Sequence, residues 1–368
     1  MTTRTPRPRT HRRSIHLGID LSATKARPAV WRTHGSRAAR EFDQEAAVRH
    51  ARVAALGAAD FVVFGPDFSF GTSRDTTLGG VLDPAVAACR VIRGVPGIGA
   101  VAHLDPGRIA AEHVAQALAA VDEHTGGRAG WHLSGGTAAQ VRAVHREWEA
   151  LVRAANPVAS EQRVTHDGVR FAVRGRTQGA RPEQLRVPVV VALGAPDGGL
   201  RHTESGTGTE SVLELAAHVA DVVRVRASEL DEAVALRDRV RSAVADAGRA
   251  PGDVRVLVDL FAVVGPDEAS SAARLDLLRR LEDEEVDDGS LVVAGSPVAL
   301  AVTIQDWVDA GAADGFVVRP AALAADLDAF VAAVVPVLQG SGYLRPASRG
   351  ATLGAALELG RPRSVVEV

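Results

Sequence analysis

The chain has 368 residues, a formal net charge of −3 and a hydrophobic share of 46%, which is enough apolar material for one large core. The small net charge supplies no overall field for nucleic acid, so we expect no nucleic-acid partner. Cys89 is the single cysteine, which excludes a disulfide framework and a thiolate metal cluster; no metal site is predicted.

Membrane association is not expected either. No run approaches the roughly 18 apolar residues of a transmembrane helix. Residues 1–13 are rich in arginine and lack the apolar region of a signal peptide. They are predicted to form a disordered basic tail, and the protein is expected in the cytoplasm.

Strand-like and helix-like runs alternate along the rest of the chain. Continuous apolar runs such as 60–65 are typical of strands buried on both faces. In chain order, eight strands are predicted at 15–21, 60–65, 98–103, 129–134, 187–194, 220–225, 254–264 and 314–320. Helices are predicted at 42–57, from 84 onward, and at 106–121, 137–155, 210–218, 230–247, 267–282, 296–310 and 323–338.

This order of elements leaves two architectures, an open doubly wound sheet and a closed (β/α)8 TIM-type barrel. The count of eight, with no Gly-x-Gly-x-x-Gly after the first strand, favours the barrel. We predict that the barrel spans residues 14–340 and that residues 341–368 form a tail packed on it. Residues 158–186 are polar and are predicted to be irregular, and the acidic run 282–288 is predicted to be a solvated loop.

Polar residues close two of the predicted strands. His103 ends the third strand, and Trp131-His-Leu-Ser134 ends the fourth after a helix and a turn at Gly126-Gly127. The carboxyl ends of parallel strands are where α/β folds bind their ligands. The sequence therefore predicts a site at this end of the barrel.

The segment Val121-Asp-Glu-His-Thr-Gly-Gly-Arg-Ala-Gly-Trp-His132 resembles the signature of luciferase-like flavin-dependent monooxygenases. It is similar to the branch of nitrilotriacetate and dibenzothiophene-sulfone monooxygenases, in which the strand continues Gly-Trp-Asn. Ala29-Val-Trp-Arg32, His166 to Gly175, Glu214 to Asp221 and Trp307 to Phe316 resemble further elements of that branch in the same order. The resemblance covers residues 15–363.

The resemblance implies a (β/α)8 barrel with a particular chemistry. Reduced FMN, supplied by a separate flavin reductase, activates O2 for attack on a small organic substrate. A homodimer is also implied.

The resemblance places flavin contacts at the fourth strand end, on Trp131 and Ser134, and near Asp67 after the second strand. His132 stands where the family has Asn, and it adds acid–base capacity near neutral pH. His132 and His103 are therefore the candidate catalytic residues. For His132 the alternative is a structural histidine bonded to a loop carbonyl, and for Asp67 it is a turn or helix-capping role.

A phosphate site is implied at the helix that begins near residue 210, because a helix N-terminus with small hydroxyl side chains binds phosphate. The candidate contacts are Gly194, Thr207, Gly208, Thr209 and Ser211. The alternative is an ordinary capped helix.

Two departures from the family leave other functions open. The family carries a long insertion between strands four and five with a Tyr-x-Arg-Ala element, whereas this chain has a shortened insertion and its one tyrosine is Tyr343. Val212 stands where the family has a phosphate-loop Gly. The main hypothesis is an FMN-dependent monooxygenase; the alternatives are a catalytically degenerate barrel acting as a flavin-binding or partner protein, and a deazaflavin-dependent oxidoreductase.

Overall fold

The structure is a computed structural model that describes residues 14–22, 44–65, 84–133, 136–155, 164–167, 172–175, 182–193, 208–281 and 289–360. The basic tail 1–13 and the candidate residues Asp67, Ser134, Gly194 and Thr207 lie outside these ranges. Gly208, Thr209 and Ser211 are described only as the first turn of a helix.

The described residues form strands that alternate with helices. The strands are β1 (His16–Asp20), β2 (Phe61–Phe64), β3 (Gly99–Leu104), β4 (Ala129–Leu133), β5 (Val164–Asp167), β6 (Ala172–Gly175), β7 (Val189–Leu193), β8 (Val222–Val225), β9 (Arg255–Val264), β10 (Leu291–Gly295) and β11 (Gly315–Pro320). The helices are α1 (Gln44–Leu56), α2 (Pro84–Ile92), α3 (Ala111–Thr125), α4 (Ala138–Ala155), α5 (Gly208–His218), α6 (Leu230–Asp246), α7 (Glu268–Leu281), α8 (Pro297–Asp309), α9 (Leu323–Ala329), α10 (Val335–Gly340) and α11 (Leu353–Ala356).

Eight of these strands close into a parallel barrel. Its order is β1-β2-β3-β4-β7-β8-β9-β11, and β11 pairs in turn with β1. All eight predicted strands are present, so the prediction of a (β/α)8 barrel is confirmed. The predicted helix starts were less accurate, since α3 begins at Ala111 rather than at residue 106.

Three strands lie outside the barrel order, and none of them was predicted from the sequence. β5 and β6 form an antiparallel hairpin within residues predicted to be irregular. β10 pairs in parallel with residues 260–264 of β9. β11 pairs with residues 257–262 along one edge of β9. Along the other edge, β8 pairs with residues 255–258, so β10 continues the pairing beyond the end of β8.

The barrel interior is a packed core because side chains alternate inward and outward along each strand. Its middle layer is apolar, and Leu353 and Leu357 of the C-terminal segment close it at the amino-terminal end of the strands. The inward residues of this cluster are Phe61, Val63, Val101, Val190, Val222, Leu257 and Val317.

The outward side chains pack against the helices in a second, larger apolar cluster. Among the described residues, one helical run, 323–340, is long and apolar enough to cross a membrane. Its residues Leu327, Phe330 and Val334 are fully buried, and it packs on α1 and α8. The apolar side of this run therefore belongs to the core. It includes a π turn at Phe330–Val334, just before Pro336, whose ring nitrogen cannot donate to the helix.

Candidate active site

Two histidines stand side by side at the carboxyl end of the barrel. His103 of β3 and His132 of β4 occupy paired positions in the parallel ladder. They share the inward parity of Val101 and Gly130, so both rings face the barrel interior. The ring centroids are 3.8 Å apart and the ring planes differ by 7°, which is a face-to-face stack.

The hydrogen bonding of His132 defines its tautomer. Nδ1 lies 3.1 Å from the carbonyl oxygen of Leu133, the next residue of β4. A carbonyl oxygen only accepts, so Nδ1 carries the hydrogen and the lone pair of the neutral ring is on Nε2. Nε2 is buried, and no residue that the structure describes forms a hydrogen bond with it. His132 is 3% exposed, so this nitrogen is an unsatisfied acceptor inside the barrel.

A buried ion network shares this end of the barrel. Arg224 of β8 donates from Nε and Nη2 to the two carboxylate oxygens of Asp259 on β9, at 2.8 and 2.9 Å. Its Nη2 also lies 2.8 Å from Oδ2 of Asp20 on β1. Arg226 approaches the same Asp259 at 3.5 Å. The fork-shaped guanidinium thus bridges carboxylates from two other strands.

Burial and charge set the protonation of these groups. Burial lowers the pKa of His103 to about 3, and the charge of Arg224 adds to this effect. Burial, with the neighbouring His103 and Arg224, also holds the pKa of His132 well below its usual range. Burial acts to raise the pKa of Asp20, but Arg224 outweighs it and keeps that pKa low. At neutral pH the network is ionised and both imidazoles are uncharged.

Trp131 does not face this site. Its side chain is fully buried on the outer side of the sheet, and its indole N–H donates to the carbonyl of Leu104 at 3.1 Å. The ring meets His145 of α4 edge-on, with centroids 6.2 Å apart. This placement follows from alternation, since Trp131 precedes the inward His132, and we do not retain it as a flavin contact.

Three residues of this network were not predicted from the sequence: Asp20, Arg224 and Asp259. Each is a charged residue at an inward position of a mostly apolar strand; Asp20 and Arg224 lie near the carboxyl ends of β1 and β8, and Asp259 lies in the middle of β9. Period-two alternation applied to the strands 15–21, 220–225 and 254–264 would have marked them. Among the described residues, no group of three or more His, Cys, Asp or Glu side chains is placed to hold a metal ion.

A cavity of about 520 Å³ lies at the opposite, amino-terminal end of the barrel. Two of its arginines, Arg237 and Arg241, both bind the carboxylate of Asp314. Arg255 donates to the carbonyls of Gly252, Leu357 and Glu358. Most of these donors are engaged in fastening the chain, so we assign this end to stability, as is usual for the amino-terminal face of such barrels.

Comparison with known proteins gives one family. The model of the luciferase-like monooxygenases matches residues 100–286. N-acetyl-S-(2-succino)cysteine monooxygenase of Bacillus subtilis (strain 168) is 22% identical, over 95% of this chain and 98% of its own length. Component A of nitrilotriacetate monooxygenase from Aminobacter aminovorans is 26% identical, over 55% of each chain.

Solved structures share the fold. EDTA monooxygenase from Chelativorans sp. BNC1 superposes with a TM-score of 0.78 at 20% identity, over 95% of this chain and 99% of that chain. The FMN complex of the oxygenating constituent of 3,6-diketocamphane monooxygenase from Pseudomonas putida gives 0.60 at 12% identity, with 88% and 97% covered. The F420-dependent tetrahydromethanopterin reductase of Methanopyrus kandleri gives 0.60 at 14%, with 88% and 99% covered.

Proposed function

Because this chain belongs to the luciferase-like monooxygenase family, we propose that it binds reduced FMN at the carboxyl end of the barrel and uses O2 to oxygenate a small organic substrate. The observation that carries the proposal is the buried, unpartnered Nε2 of His132 beside the stacked His103. Buried polar atoms in native folds normally have a partner, and at the carboxyl end of the barrel, where such folds bind their ligands, a bound ligand would supply it.

Two features of the described chain fit a flavin. The ring system of reduced flavin carries N–H groups, which match an acceptor at the barrel mouth. The helix α5 begins at Gly208, and the backbone amides of its first turn suit a phosphate group. Gly208, Thr209 and Ser211 would supply those amides, and Gly194, Thr207, Ser134 and Asp67 remain proposed contacts from the sequence.

When bound, the flavin supplies the electrons and the activation of O2. The protein then has to orient the reacting groups and exclude water. His132 would hold a ligand hydrogen at Nε2, and His103 would fix the plane of that ring by stacking on it. The buried ion network of Arg224 lies at the same end of the barrel as the two rings.

Partners follow from the same proposal. The relative named component A suggests that a separate flavin reductase supplies the reduced cofactor. We also propose a cytoplasmic homodimer, in keeping with the family resemblance.

Titration of the purified protein with oxidised FMN and with anaerobically reduced FMN, followed by fluorescence or calorimetry, tests the proposal. We expect saturable binding of the reduced form and a changed rate of its reoxidation by O2. His132→Ala should alter that rate more than the free energy of unfolding, and the exposed His218→Ala is the matched control. Failure to bind any flavin or deazaflavin would refute the enzyme function and favour a degenerate partner protein.

A deazaflavin is the second candidate cofactor, because F420-dependent enzymes share the fold. The same titration with F420 separates the two. Saturable binding of F420 together with no binding of FMN would replace the monooxygenase by a deazaflavin-dependent oxidoreductase.

A further inference from the structure

The ligand-facing atom of His132 is an acceptor and not a donor. Its Nδ1 hydrogen is committed to the Leu133 carbonyl, so the unpartnered Nε2 presents a lone pair. A ligand carbonyl or sulfonyl oxygen placed there would repel it, since both atoms would be acceptors. A ligand N–H or O–H would satisfy it.

Arg224 lies in the same inward layer as this acceptor. It is itself 3% exposed, and its two carboxylate partners come from β1 and β9, on the far side of the closed barrel from β4. The two partners hold its guanidinium in one orientation. Attraction from Asp259 and Asp20 raises the pKa of Arg224 despite its burial, so its charge is permanent.

A permanent positive charge opposes a second one nearby. Protonation of Nε2 would create an imidazolium in a buried layer that already holds a guanidinium and a stacked histidine. It would also convert the only free nitrogen of His132 from an acceptor into a donor. The charge at Arg224 therefore preserves the lone pair.

We infer that the mouth of the barrel recognises a ligand group that donates a hydrogen bond, an N–H or an O–H, to Nε2 of His132, and that Arg224 is the positioning residue for this acceptor. The inference rests on the flavin-dependent function proposed above and deepens it. The donor belongs either to the reduced flavin ring or to an alcohol, amine or amide of the substrate.

The charged groups around His103 and His132 come from several strands. Asp20 is on β1 and Asp259 on β9, while Arg224 and Arg226 are at the end of β8. Arg319 of β11 also acts on Asp20 and donates to Ser290. When ionised, the three arginines and two aspartates carry three positive and two negative charges. Their net positive charge opposes a further positive charge on either histidine.

The tautomer is measured by imidazole nitrogen NMR on protein labelled with ¹⁵N-histidine, without flavin, from pH 5 to 9. We expect His132 to show a protonated Nδ1 and a pyridine-like Nε2 throughout this range. A protonated Nε2 at pH 7 would overturn the inference whether or not the protein binds flavin. This measurement needs no variant and does not depend on the proposed function.

Arg224 is then tested by substitution. In Arg224→Gln the two carboxylates are left without their cation, and the apparent pKa of the histidine pair should rise by at least about one unit. Arg224→Lys keeps the charge and should leave the titration of the pair near that of the wild type. An unchanged titration in folded Arg224→Gln would refute the positioning role. If Arg224→Gln fails to fold, the double variant Arg224→Gln with Asp259→Asn, which removes one positive and one negative charge, is titrated in its place. The tautomer of the wild-type protein still shows whether Nε2 of His132 is an acceptor.

The Nε2 resonance of His132, followed while reduced FMN, 2-propanol or acetone is added, shows whether the donor comes from the flavin or from the substrate. A shift with reduced FMN alone identifies the flavin as the donor. A shift with 2-propanol but not with acetone, which has a similar size and only accepts, identifies a substrate donor. No shift with any of these probes, in a protein that binds reduced FMN, would refute the inference and leave the proposed function intact.

Discussion

His103 and His132 stack with their ring centroids 3.8 Å apart at the mouth of the barrel, and both rings are held neutral. This contact depends on the β3–β4 register, which pairs the two residues directly. A shift of one residue in either strand would turn one ring to the outer layer of helices. The histidine pair is therefore a consequence of barrel closure rather than of a local motif.

Acid should destabilise this protein through its buried histidines. Burial lowers the pKa of His16 to about 4 and that of His103 and His145 to about 3, and it lowers that of His132 as well. Below about pH 6.5 these histidines bind protons in the unfolded chain but not in the native chain, so the free energy of unfolding decreases as the pH falls toward 4. Each histidine contributes a slope of about 1.4 kcal/mol per pH unit. Urea unfolding at pH 7.5, 6.0 and 5.0 measures how the free energy of unfolding changes with pH.

His145 gives a matched test of this slope. It is 1% exposed, and neither ring nitrogen has a hydrogen-bond partner in the part of the chain that the structure describes. His145→Leu should reduce the slope by about 1.4 kcal/mol per pH unit and leave the free energy of unfolding at pH 7.5 unchanged or higher, because an unsatisfied polar ring is removed. The exposed His218→Gln should leave the slope as it is. Equal slopes in all three proteins would contradict the assignment.

The sequence predicted the barrel because its strands are continuous apolar runs at regular spacing, a signal that is local. It also predicted both histidines, since each ends such a run. It did not predict that Arg224 binds Asp20, because the two are 204 positions apart and meet only when the barrel closes. The hairpin β5–β6 was missed since its two strands are only four residues long and mix polar with apolar residues, and β10 was missed since it lies between two predicted barrel units.

Asp259→Asn should be strongly destabilising. The carboxylate is fully buried, takes two hydrogen bonds from Arg224 and lies beside Arg226. Removing one member of a buried ion pair typically costs about 3–5 kcal/mol, because the other charge stays buried. Asp276→Asn breaks the exposed pair with Arg279 and should cost less than about 1 kcal/mol. Chemical denaturation of both variants at pH 7.5 compares them, and similar losses would argue against the network.

Gly315→Ala should disturb the closure of the barrel. Gly315 pairs with His16 between β11 and β1, and an added Cβ would lie 2.0 Å from the His16 carbonyl oxygen. Backbone of both strands would have to move, at a cost of roughly 1–3 kcal/mol or more. A Cβ at Gly252 meets nothing within 4 Å, so Gly252→Ala is the control and should leave the melting temperature almost unchanged. Equal melting temperatures for the two variants would show that β1 and β11 are not in this register.

Asp122→Asn should loosen the segment that leads into β7. The buried carboxylate of Asp122 accepts from the backbone amides of Ala129, Glu183 and Gln184 and from the side chain of Gln184. An amide NH2 at the Oδ2 position would face two N–H donors and leave them unsatisfied, which costs roughly 2–5 kcal/mol.

Hydrogen exchange at the amides of Glu183 and Gln184 locates this loss. Because the two amides donate to the same oxygen of Asp122, they should exchange faster in Asp122→Asn by a larger factor than the amides of β9, whose ladder bonds do not involve that carboxylate. Asp267→Asn changes an exposed carboxylate that caps α7 through Ser270, and it should leave both sets of amides as they are. A uniform acceleration in Asp122→Asn would instead mean that the carboxylate stabilises the barrel as a whole and does not fasten this segment in particular.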